Sequence, residues 1–576
     1  MKIAILSDPH FHDITYRAGH TSPTAAIRTL GDTATSTRVF NESFHGLPAL
    51  LDDIVRRGIS LVIIAGDLTD DGQGSTTAAA VALLHDYSRR FGLRFLATPG
   101  NHDLYAMHGR HQSKRFLNED GSHTLVTSDP REPHGASVER IVTPEMYCGG
   151  YLAALNAMRD FGFFRRPGDL HWESPFGPSD DLTDRTFDIR SEDGGTVRSM
   201  IDASYLVEPL ERLWVLSIDA NVFEPKNGDL DPQAETSFID STDAGWNAML
   251  RNKPFMLDWM TDVACRASAL GKRLIAFSHY PAIDLLGATL ADEIALFGET
   301  GFSRRAPQPI VMSAVAQTGI KVHFSGHLHV NDTARWSDGN DFLVNVAVPS
   351  IVAFPPAYKT VEFEDNDMLV QTVPLPDVLG FDTAFDLYRR ELSLTGEVFD
   401  DVADAASHGD FLSRHLIEMV RHRYLPKEWP TDLAALVTTI DTDDLALLAD
   451  ASEDLHAKDV PAWLASRKLS GSPGHPHSSS VSFFDLIVDW YRLRNGRDLA
   501  RAAVGPARIT LYRNLARAFS AGRWGDKSAQ GRIARIFRMM MVYVDALPSR
   551  DFRIDLSNGD IERIDYFGRT ERRQTG

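Results

Sequence analysis

Short apolar runs recur through the first 350 residues of this 576-residue chain. They are rich in Ile, Val, Leu and Phe and do not alternate with polar residues, which is typical of strands buried on both faces of a largely parallel sheet. Segments with helical periodicity, Leu47 to Arg57 and Thr77 to Arg90, lie between some of the runs, as in consecutive βαβ units. The sequence therefore predicts an α/β fold. The predicted strands are Ile3–Leu6, Leu61–Ala65, Phe95–Thr98, Leu213–Ile218, Arg273–Phe277, Val322–Phe324 and Leu343–Val348.

The strand pattern is interrupted between about residues 104 and 210. This stretch contains many Gly, Pro, Asp, Arg and His residues and few long apolar runs. It indicates an insertion, partly loop, with one helix near Met146 to Phe161. We therefore predict a first domain over residues 1–378 that carries this insertion.

Helical periodicity dominates after about Phe381. Near the end of the sequence, Asn558-Gly559 between two apolar segments predicts a β-hairpin. We therefore predict a mainly α-helical accessory domain over residues 379–576 that ends in this hairpin. The helices predicted there are Phe381–Leu392, Asp410–His422, Thr431–Ile440, Phe483–Arg494, Ile509–Phe519 and Ile533–Leu547.

The net charge and composition restrict the partners. Acidic residues outnumber basic ones by 79 to 59, and the formal charge of −20 repels polyanions, so we expect no nucleic-acid polymer as a partner. A small anionic substrate remains compatible, because bound metal ions would dominate the local field. No run approaches the ~18 apolar residues that span a bilayer, and the N-terminus is charged too early for a signal peptide, so we expect a cytoplasmic protein without a membrane partner. Each of the two cysteines, Cys148 and Cys265, is expected to be a lone buried thiol. The composition leaves the oligomeric state open.

Polar residues that can bind metals follow five of the predicted strands. Ligand sites in parallel sheets lie at the carboxyl ends of the strands, so we expect these side chains to lie close together. Asp, His and Asn are hard or borderline metal ligands. The glycines of the same motifs, Gly66, Gly100 and Gly326, lie where the chain must turn sharply and bring its backbone close to a ligand. The motifs are Asp8-Pro9-His10, Gly66-Asp67, Gly100-Asn101-His102-Asp103, Ser278-His279 and Gly326-His327-Leu328-His329.

Two of these motifs place candidate ligands two residues apart. Asp8 and His10 form one such pair, and His327 and His329 form the other. In an extended segment, side chains at this spacing point to the same side. The spacing therefore predicts that each pair is directed at one focus.

Together the motifs resemble those of the calcineurin-like metallophosphoesterase family: DxH, GD, GNH[DE], a lone His and GHxH, in that order over about residues 1 to 375. The resemblance implies a two-sheet αββα sandwich with an inserted cap region, here followed by the mainly α-helical C-terminal domain. It also implies two divalent or trivalent metal ions, and ligands without a thiolate suit Mn, Fe or Zn. By this resemblance the ligands of one metal are Asp8, His10, Asp67 and His329, and those of the second are Asp67, Asn101, His279 and His327.

The resemblance also implies the catalytic roles. Asp67 would be the bridging carboxylate, and a water between the two metals would become the nucleophile that attacks phosphorus. His102 would protonate or stabilise the leaving oxygen. Asp103 is either the partner of His102 or a cap of a helix or loop.

The substrate is predicted from weaker signals. Asp103 rather than Glu after the GNH motif is similar to bacterial cyclic-nucleotide phosphodiesterases and nuclease-type members, and the segments Tyr147 to Phe164 and Pro349 to Pro355 resemble a bacterial subgroup of the family. We therefore predict a phosphodiesterase that acts on a small, cyclic-nucleotide-like phosphoester. The alternatives are a phosphomonoesterase acting on small molecules or proteins, a DNA nuclease, which the acidic charge opposes, and a non-catalytic scaffold, which the complete set of ligand types opposes.

A polar cluster follows the GNHD motif and would begin at the rim of the site. It could bind phosphate or stack on a base, and the alternative is a solvated polar loop. The cluster consists of Tyr105, His108, Arg110, His111 and Lys114.

Overall fold

Two seven-stranded sheets form the centre of the computed structural model, which describes residues 1–18, 26–136, 138–399, 401–469 and 480–564. Buried apolar residues of both sheets, such as Ile5, Ile63, Val215 and Phe277, belong to one continuous core. The mixed α/β sandwich with a helical C-terminal region confirms the predicted fold class. All seven predicted strands are present, with their ends within one residue of the predicted positions. The strands are β1 Lys2–Leu6, β2 Leu61–Ile64, β3 Arg94–Ala97, β4 Ser113–Leu117, β5 His123–Thr127, β6 Arg140–Val142, β7 His171–Glu173, β8 Thr186–Arg190, β9 Val197–Ile201, β10 Tyr205–Leu210, β11 Leu213–Ile218, β12 Arg273–Ser278, β13 Val322–Ser325, β14 Asp332–Ser337, β15 Phe342–Ala347, β16 Ala357–Glu364, β17 Asp367–Pro374, β18 Asp551–Asp555 and β19 Ile561–Arg563.

Each sheet is parallel over only part of its width. The first sheet has the order β19-β18-β17-β16-β1-β2-β3, in which β1, β2 and β3 are parallel. The second has the order β14-β15-β13-β12-β11-β10-β7, in which β11, β12, β13 and β15 are parallel. The prediction of a largely parallel sheet is therefore wrong for the antiparallel strands, which are β16 to β19 in the first sheet and β14, β10 and β7 in the second. Tight connections, such as the turn at Asp365 and Asn366 between β16 and β17, produce antiparallel neighbours there.

Helices cover the sheets and make up most of the C-terminal region. The helix predicted over Leu47 to Arg57 corresponds to α2, Ser43–Arg56, and the one over Thr77 to Arg90 lies within α3, Gly74–Phe91. The six helices predicted after Phe381 correspond to α11, α12, α14, α17, α19 and α20, and α12 continues into a π-helical turn, Val420–Tyr424. The helices are α1 Leu30–Ala34, α2 Ser43–Arg56, α3 Gly74–Phe91, α4 Asn101–Leu104, α5 Gly150–Ala157, α6 Gly245–Asn252, α7 Phe255–Ala269, α8 Leu290–Phe297, α9 Gly301–Arg305, α10 Pro309–Gln317, α11 Phe385–Thr395, α12 His408–Met419, α13 Leu425–Lys427, α14 Thr431–Val437, α15 Thr442–Ala449, α16 Val460–Leu469, α17 Phe483–Gly496, α18 Arg501–Val504, α19 Pro506–Ala521 and α20 Ala529–Val544.

The stretch predicted as an insertion contains more strand than expected. It includes α5 within the predicted helix, but also a three-stranded sheet of β4, β5 and β6 and a hairpin of β8 and β9. Two further strands from the stretch, β7 and β10, pair with each other, and β10 pairs with β11 in the second sheet. Strands such as β7, His171–Glu173, are short and carry polar side chains, so they give no clear apolar run.

The terminal hairpin extends the first sheet. β18 pairs antiparallel with β17, and β19 pairs with β18. These strands therefore lie in the same sheet as β1, although the sequence assigns them to the accessory domain. The end of the predicted hairpin, residues 565 and 566, lies outside the described residues, and the division into two domains stays a prediction.

The prediction of two buried thiols is half correct. Cys148 is buried and its thiol donates a hydrogen bond to the Asp71 carbonyl oxygen at 2.6 Å, whereas Cys265 is exposed on α7. Neither forms a disulfide. In the part of the chain that the structure describes, no helix is long and apolar enough to cross a membrane.

Candidate metal centre

The carboxyl ends of β1 and β2 in the first sheet meet those of β12 and β13 in the second. Hydrogen bonds cross this junction: the His279 ring at Nδ1 contacts the Ala65 carbonyl oxygen at 3.0 Å, and the His327 amide donates to the Asp8 carboxylate at 3.0 Å. The junction brings together all the residues predicted to bind metal, and each is less than a tenth exposed. These are Asp8, His10, Asp67, Asn101, His279, His327 and His329.

A first group of potential ligands consists of Asp8, His10 and His329, whose donor atoms all lie within 4.8 Å of one another. The Nε2 atoms of His10 and His329 are 3.0 Å apart, and His329 Nε2 is 3.6 Å from Asp8 Oδ1. The other ring nitrogen of His329, Nδ1, lies 3.4 Å from the Thr37 carbonyl oxygen. A proton on Nδ1 therefore leaves the Nε2 lone pair directed into the group.

A second group consists of Asp67, His279 and His327, also with all donor atoms within 4.8 Å. His279 Nε2 is 3.2 Å from Asp67 Oδ2, 3.1 Å from Asn101 Oδ1 and 3.0 Å from His327 Nδ1. Asp67 Oδ2 is also 3.7 Å from His10 Nε2 of the first group. Asp67 therefore lies between the two groups.

This donor set fits two cations. The Nδ1–H of His279 is engaged by the Ala65 carbonyl oxygen, so its Nε2 faces the acceptor oxygens of the Asp67 carboxylate and the Asn101 amide. Buried acceptors at these distances need a proton or a cation between them. Imidazole nitrogen with carboxylate and amide oxygen is a ligand set for Mn, Fe or Zn.

The protonation states agree with this geometry. Burial, followed by the nearby Arg38 charge, lowers the pKa of His10 and of His329, so both imidazoles are neutral and hold a free lone pair. His279 differs: burial lowers its pKa, but Asp67 outweighs this effect and the net pKa is raised. Burial raises the pKa of Asp67, but His279 reverses the direction and keeps this carboxyl ionised. His279 therefore gives up a proton when it binds a cation.

The ligand loops have an unusual backbone. Asp8, His10, Asp67, His327 and His329 have φ values between 42° and 70°, in the left-handed region. For the Asp8/His10 and His327/His329 pairs this differs from the extended conformation assumed from their spacing. For residues other than glycine this conformation costs about 1–3 kcal/mol each, and such strain concentrates at functional sites. The expectation that each closely spaced pair aims at one focus is correct for Asp8 and His10. It is wrong for the other pair, because His327 contributes to the second group and His329 to the first.

The glycines of the motifs permit the close approach that was predicted for them. A Cβ atom on Gly100 would overlap the Asp67 carboxylate, and one on Gly326 would overlap Ser7 and the Asp8 carboxylate. Gly66 has a φ of 89°, and a Cβ there would overlap the His279 ring. The loops can therefore contact one another only because these three positions are glycines, which have no side chain.

His102 lies beside the first group with 22% of its side chain exposed. Its ring centroid is 4.9 Å from that of His10, and its backbone amide donates to Asp67 Oδ1 at 2.8 Å. His102 Nδ1 lies 2.5 Å from Asp71 Oδ1, which leaves Nε2 free. His102 is therefore accessible from solvent at the edge of the two groups of potential ligands.

The partner of His102 is Asp71, not Asp103. The Asp103 carboxylate accepts hydrogen bonds from the backbone amides of Thr69 at 2.9 Å and Gly100 at 3.0 Å. Of the two alternatives for Asp103, the structure therefore shows the cap, which ties the Asp67 loop to the start of α4. A signal for Asp71 was present in the sequence, because two adjacent carboxylates follow Asp67 in the same loop.

The cluster after the GNHD motif is not a solvated loop throughout. Lys114 is buried, with Nζ 2.5 Å from Asp70 Oδ2 and 3.2 Å from Asp71 Oδ2. Arg110 lies over the Tyr105 ring, 4.1 Å from its centroid, and that ring lies in a stacked orientation 6.0 Å from His102. The two remaining members, His108 and His111, are exposed.

Arg38 also contributes to this network and was missed by the sequence analysis. Its Nη2 lies 2.7 Å from Asp70 Oδ1 and 3.2 Å from Asp71 Oδ1. Arg38 and Lys114 thus hold the carboxylate that contacts His102. Arg38 lies outside every motif, so no local signal identified it.

The comparisons with known proteins agree with the site. Residues 1–186 match the model of the Calcineurin-like phosphoesterase family, which confirms for this part of the chain the resemblance based on the motifs. The likeness therefore includes the motifs from Asp8 to Asp103, while the two motifs that supply His279, His327 and His329 lie beyond the matched residues.

Among solved structures, a dimetal phosphatase from Danio rerio is similar at 12% identity and a TM-score of 0.35, over 65% of this chain and 95% of that one. A purple acid phosphatase from yellow lupin (Lupinus luteus) seeds is similar at 9% identity and a TM-score of 0.28, over 65% of this chain and 51% of that one. The sulfate thiohydrolase SoxB from Thermus thermophilus is similar at 13% identity and a TM-score of 0.27, over 69% of this chain and 60% of that one. No curated protein sequence matches the chain.

Proposed function

We propose that this protein is a metal-dependent phosphoester hydrolase that holds two metal ions at the junction of its sheets. The observation that carries the proposal is the pair of donor groups with Asp67 between them and the partly exposed His102 beside them. Asp8, His10 and His329 would hold one ion and His279, His327 and Asn101 the other, with Asp67 shared. When bound, the ions would supply Lewis-acid charge for the phosphoryl oxygens and lower the pKa of a water.

The chain's own residues would provide the proton transfer. His102 is the group that can reach a leaving oxygen, because its Nε2 is free and its side chain is exposed to solvent. Asp71 orients the ring through Nδ1 and would stabilise the imidazolium when His102 carries the extra proton. The buried Arg38 and Lys114 fix Asp71 in turn.

We further propose that the substrate is a small phosphodiester resembling a cyclic nucleotide. The cavity that reaches His327 and His329 encloses about 100 Å³ and is walled by residues of the C-terminal helices as well as by the ligand loops. A site walled by both the ligand loops and the C-terminal helices favours a small substrate over a duplex, and the Asp103 variant of the GNH motif supports a diester. Phosphomonoester hydrolysis is the alternative.

Paired rate measurements test the proposal. We would measure hydrolysis of bis(p-nitrophenyl) phosphate and p-nitrophenyl phosphate in Mn²⁺, with an EDTA-treated sample as the control. EDTA-sensitive preference for the diester is the expected result. A preference for the monoester would refute the diesterase proposal and favour the alternative, a phosphomonoesterase. Undiminished activity in EDTA, or a purified protein that retains no Mn, Fe or Zn and gains no activity when they are added, would refute the metal-dependent mechanism.

A gel shift at low salt distinguishes the nuclease alternative. The −20 charge predicts no shift of DNA. A stable complex with DNA would support the nuclease and oppose a small substrate.

A further inference from the structure

The cavity beside His327 and His329 is shared between the metal centre and the C-terminal helices. One wall is formed by α9 and the loop after β13, and the opposite wall by α12, the π-helical turn Val420–Tyr424 and α17. Substrate bound at the two ligand groups would therefore extend toward the helical region. This region carries none of the metal-binding motifs.

Positive charge is concentrated around this cavity in a chain whose formal charge is −20. Three arginines line the cavity, Arg305, Arg423 and Arg494, against one carboxylate, Glu428. Burial raises the pKa of Glu428, which weakens its opposition to an anion. A cleft lined mainly by one sign of charge attracts ligands of the opposite sign.

The three arginines differ in how their charge is used. Arg494 is buried and lies 3.1 Å from Glu293, and Arg305 lies 3.0 Å from Asp243. Arg423 donates from Nη1 to the Thr35 carbonyl oxygen at 3.0 Å, and among the described residues no carboxylate forms an ion pair with it. The charge of Arg423 acts on Glu428 in the same cavity without forming an ion pair, so Arg423 keeps donors beyond the one that Thr35 accepts.

A short segment links Arg423 to the metal centre. Its carbonyl oxygens contact a metal-binding residue and two residues of the helical wall: Thr37 contacts His329 Nδ1, Thr35 accepts from Arg423, and Thr33 contacts His415 Nε2 at 2.9 Å. Arg423 also lies in the π-helical turn that follows α12. This conformation is rare in proteins overall, and where it occurs it is often at a functional site. The position of Arg423 relative to His329 is therefore held by the backbone of residues 33–37.

We infer that Arg423 binds a second anionic group of the substrate, separate from the phosphate that is hydrolysed. The inference rests on the proposed function, and it narrows the substrate class to phosphoesters that carry another phosphate or carboxylate. A guanidinium recognises such a group through two parallel N–H donors. The C-terminal helical region thus selects the substrate, while the ligand loops supply the chemistry.

Two matched esters test this inference. Thymidine 5′-(p-nitrophenyl phosphate) and its 3′-phosphorylated derivative release the same nitrophenolate and differ only in the second phosphate. We expect the native protein in Mn²⁺ to show a KM about tenfold or more lower for the 3′-phosphorylated ester, as for one charged hydrogen-bonding contact. Arg423→Gln should remove this difference, and Arg423→Lys should retain part of it. Arg513→Gln is the control, because Arg513 pairs with Asp545 away from the cavity.

Equal KM values for the two esters in the native protein would overturn the inference, as would a preference that persists in Arg423→Gln. If neither ester is hydrolysed, the proposed function fails for this substrate class. In that case, calorimetric titration of the EDTA-treated protein with inorganic phosphate and with acetate tests directly whether Arg423 binds an anion. Binding of either anion that weakens at least about fivefold in Arg423→Gln but not in Arg513→Gln would support it, and equal or absent binding would overturn it.

Discussion

Replacement of Asp71 with asparagine tests how His102 acts. The substitution keeps the size of the side chain but removes the charge that lies 2.5 Å from His102 Nδ1. A hydrogen bond to a charged group contributes about 1.5–3 kcal/mol, which corresponds to about a 10- to 150-fold lower rate if the bond acts mainly in the transition state. Asp71→Asn should therefore lower kcat by this factor while KM and metal content change little.

The leaving group separates this role from a structural one. A proton donor matters little for p-nitrophenolate, a good leaving group, and more for phenolate. We would compare bis(p-nitrophenyl) phosphate with diphenyl phosphate in the native protein, Asp71→Asn and His102→Ala, and use Asp86→Asn on the surface of α3 as the control. The two site variants should lose more activity on diphenyl phosphate. Equal losses on both esters, or unchanged kcat in Asp71→Asn, would refute proton donation through an oriented His102.

Other perturbations give distinct results. Asp67→Ala should lower the metal content measured by plasma mass spectrometry from near two equivalents to near none and abolish hydrolysis, because this carboxylate lies between both ligand groups; full activity would contradict the two-metal arrangement. Gly326→Ala should lower metal content and activity at unchanged circular dichroism, because its Cβ would overlap the Asp8 carboxylate, and native metal content would contradict this. Burial lowers the pKa of His408 and of His415 to about 4, so between about pH 4 and 6.5 the unfolded chain binds more protons and stability falls as the pH decreases. Between pH 7.5 and 5 each histidine should cost about 2 kcal/mol in the free energy of unfolding measured with urea, and a His415→Gln variant with the same pH dependence as the native protein would contradict this assignment.

The sequence predicted those parts of the fold in which burial is complete. The strand Leu61–Ile64 has every residue buried and was visible as an apolar run. The three-residue strand His171–Glu173 packs a single tryptophan against the core, so its signal was lost among polar neighbours. Whether strands pair in parallel or antiparallel depends on the connections between them, which the apolar runs do not describe.

At the site, residues within short motifs could be predicted from the sequence, whereas residues brought together only by the fold could not. Asp67 and His327 lie in short motifs that contain a glycine. The loops can meet only if that position has no side chain, so the local sequence was enough to identify these residues. Arg38 and Arg423 contact residues that are far from them in the sequence, so no short motif contains both members of either pair. Their partners, Asp71 and the Thr35 carbonyl oxygen, became apparent only when the fold had placed them together.

The pairing of β18 with β17 has a consequence for biosynthesis. β17 leaves the ribosome well before β18, because the whole helical region lies between them in the sequence. During that interval one edge of the first sheet is open, and an open edge can pair with other chains. A nascent chain that stalls before residue 551 would already contain all seven candidate metal ligands, while the first sheet could still aggregate through its open edge. We therefore expect synthesis of the hairpin to protect the half that carries the candidate metal ligands from aggregation.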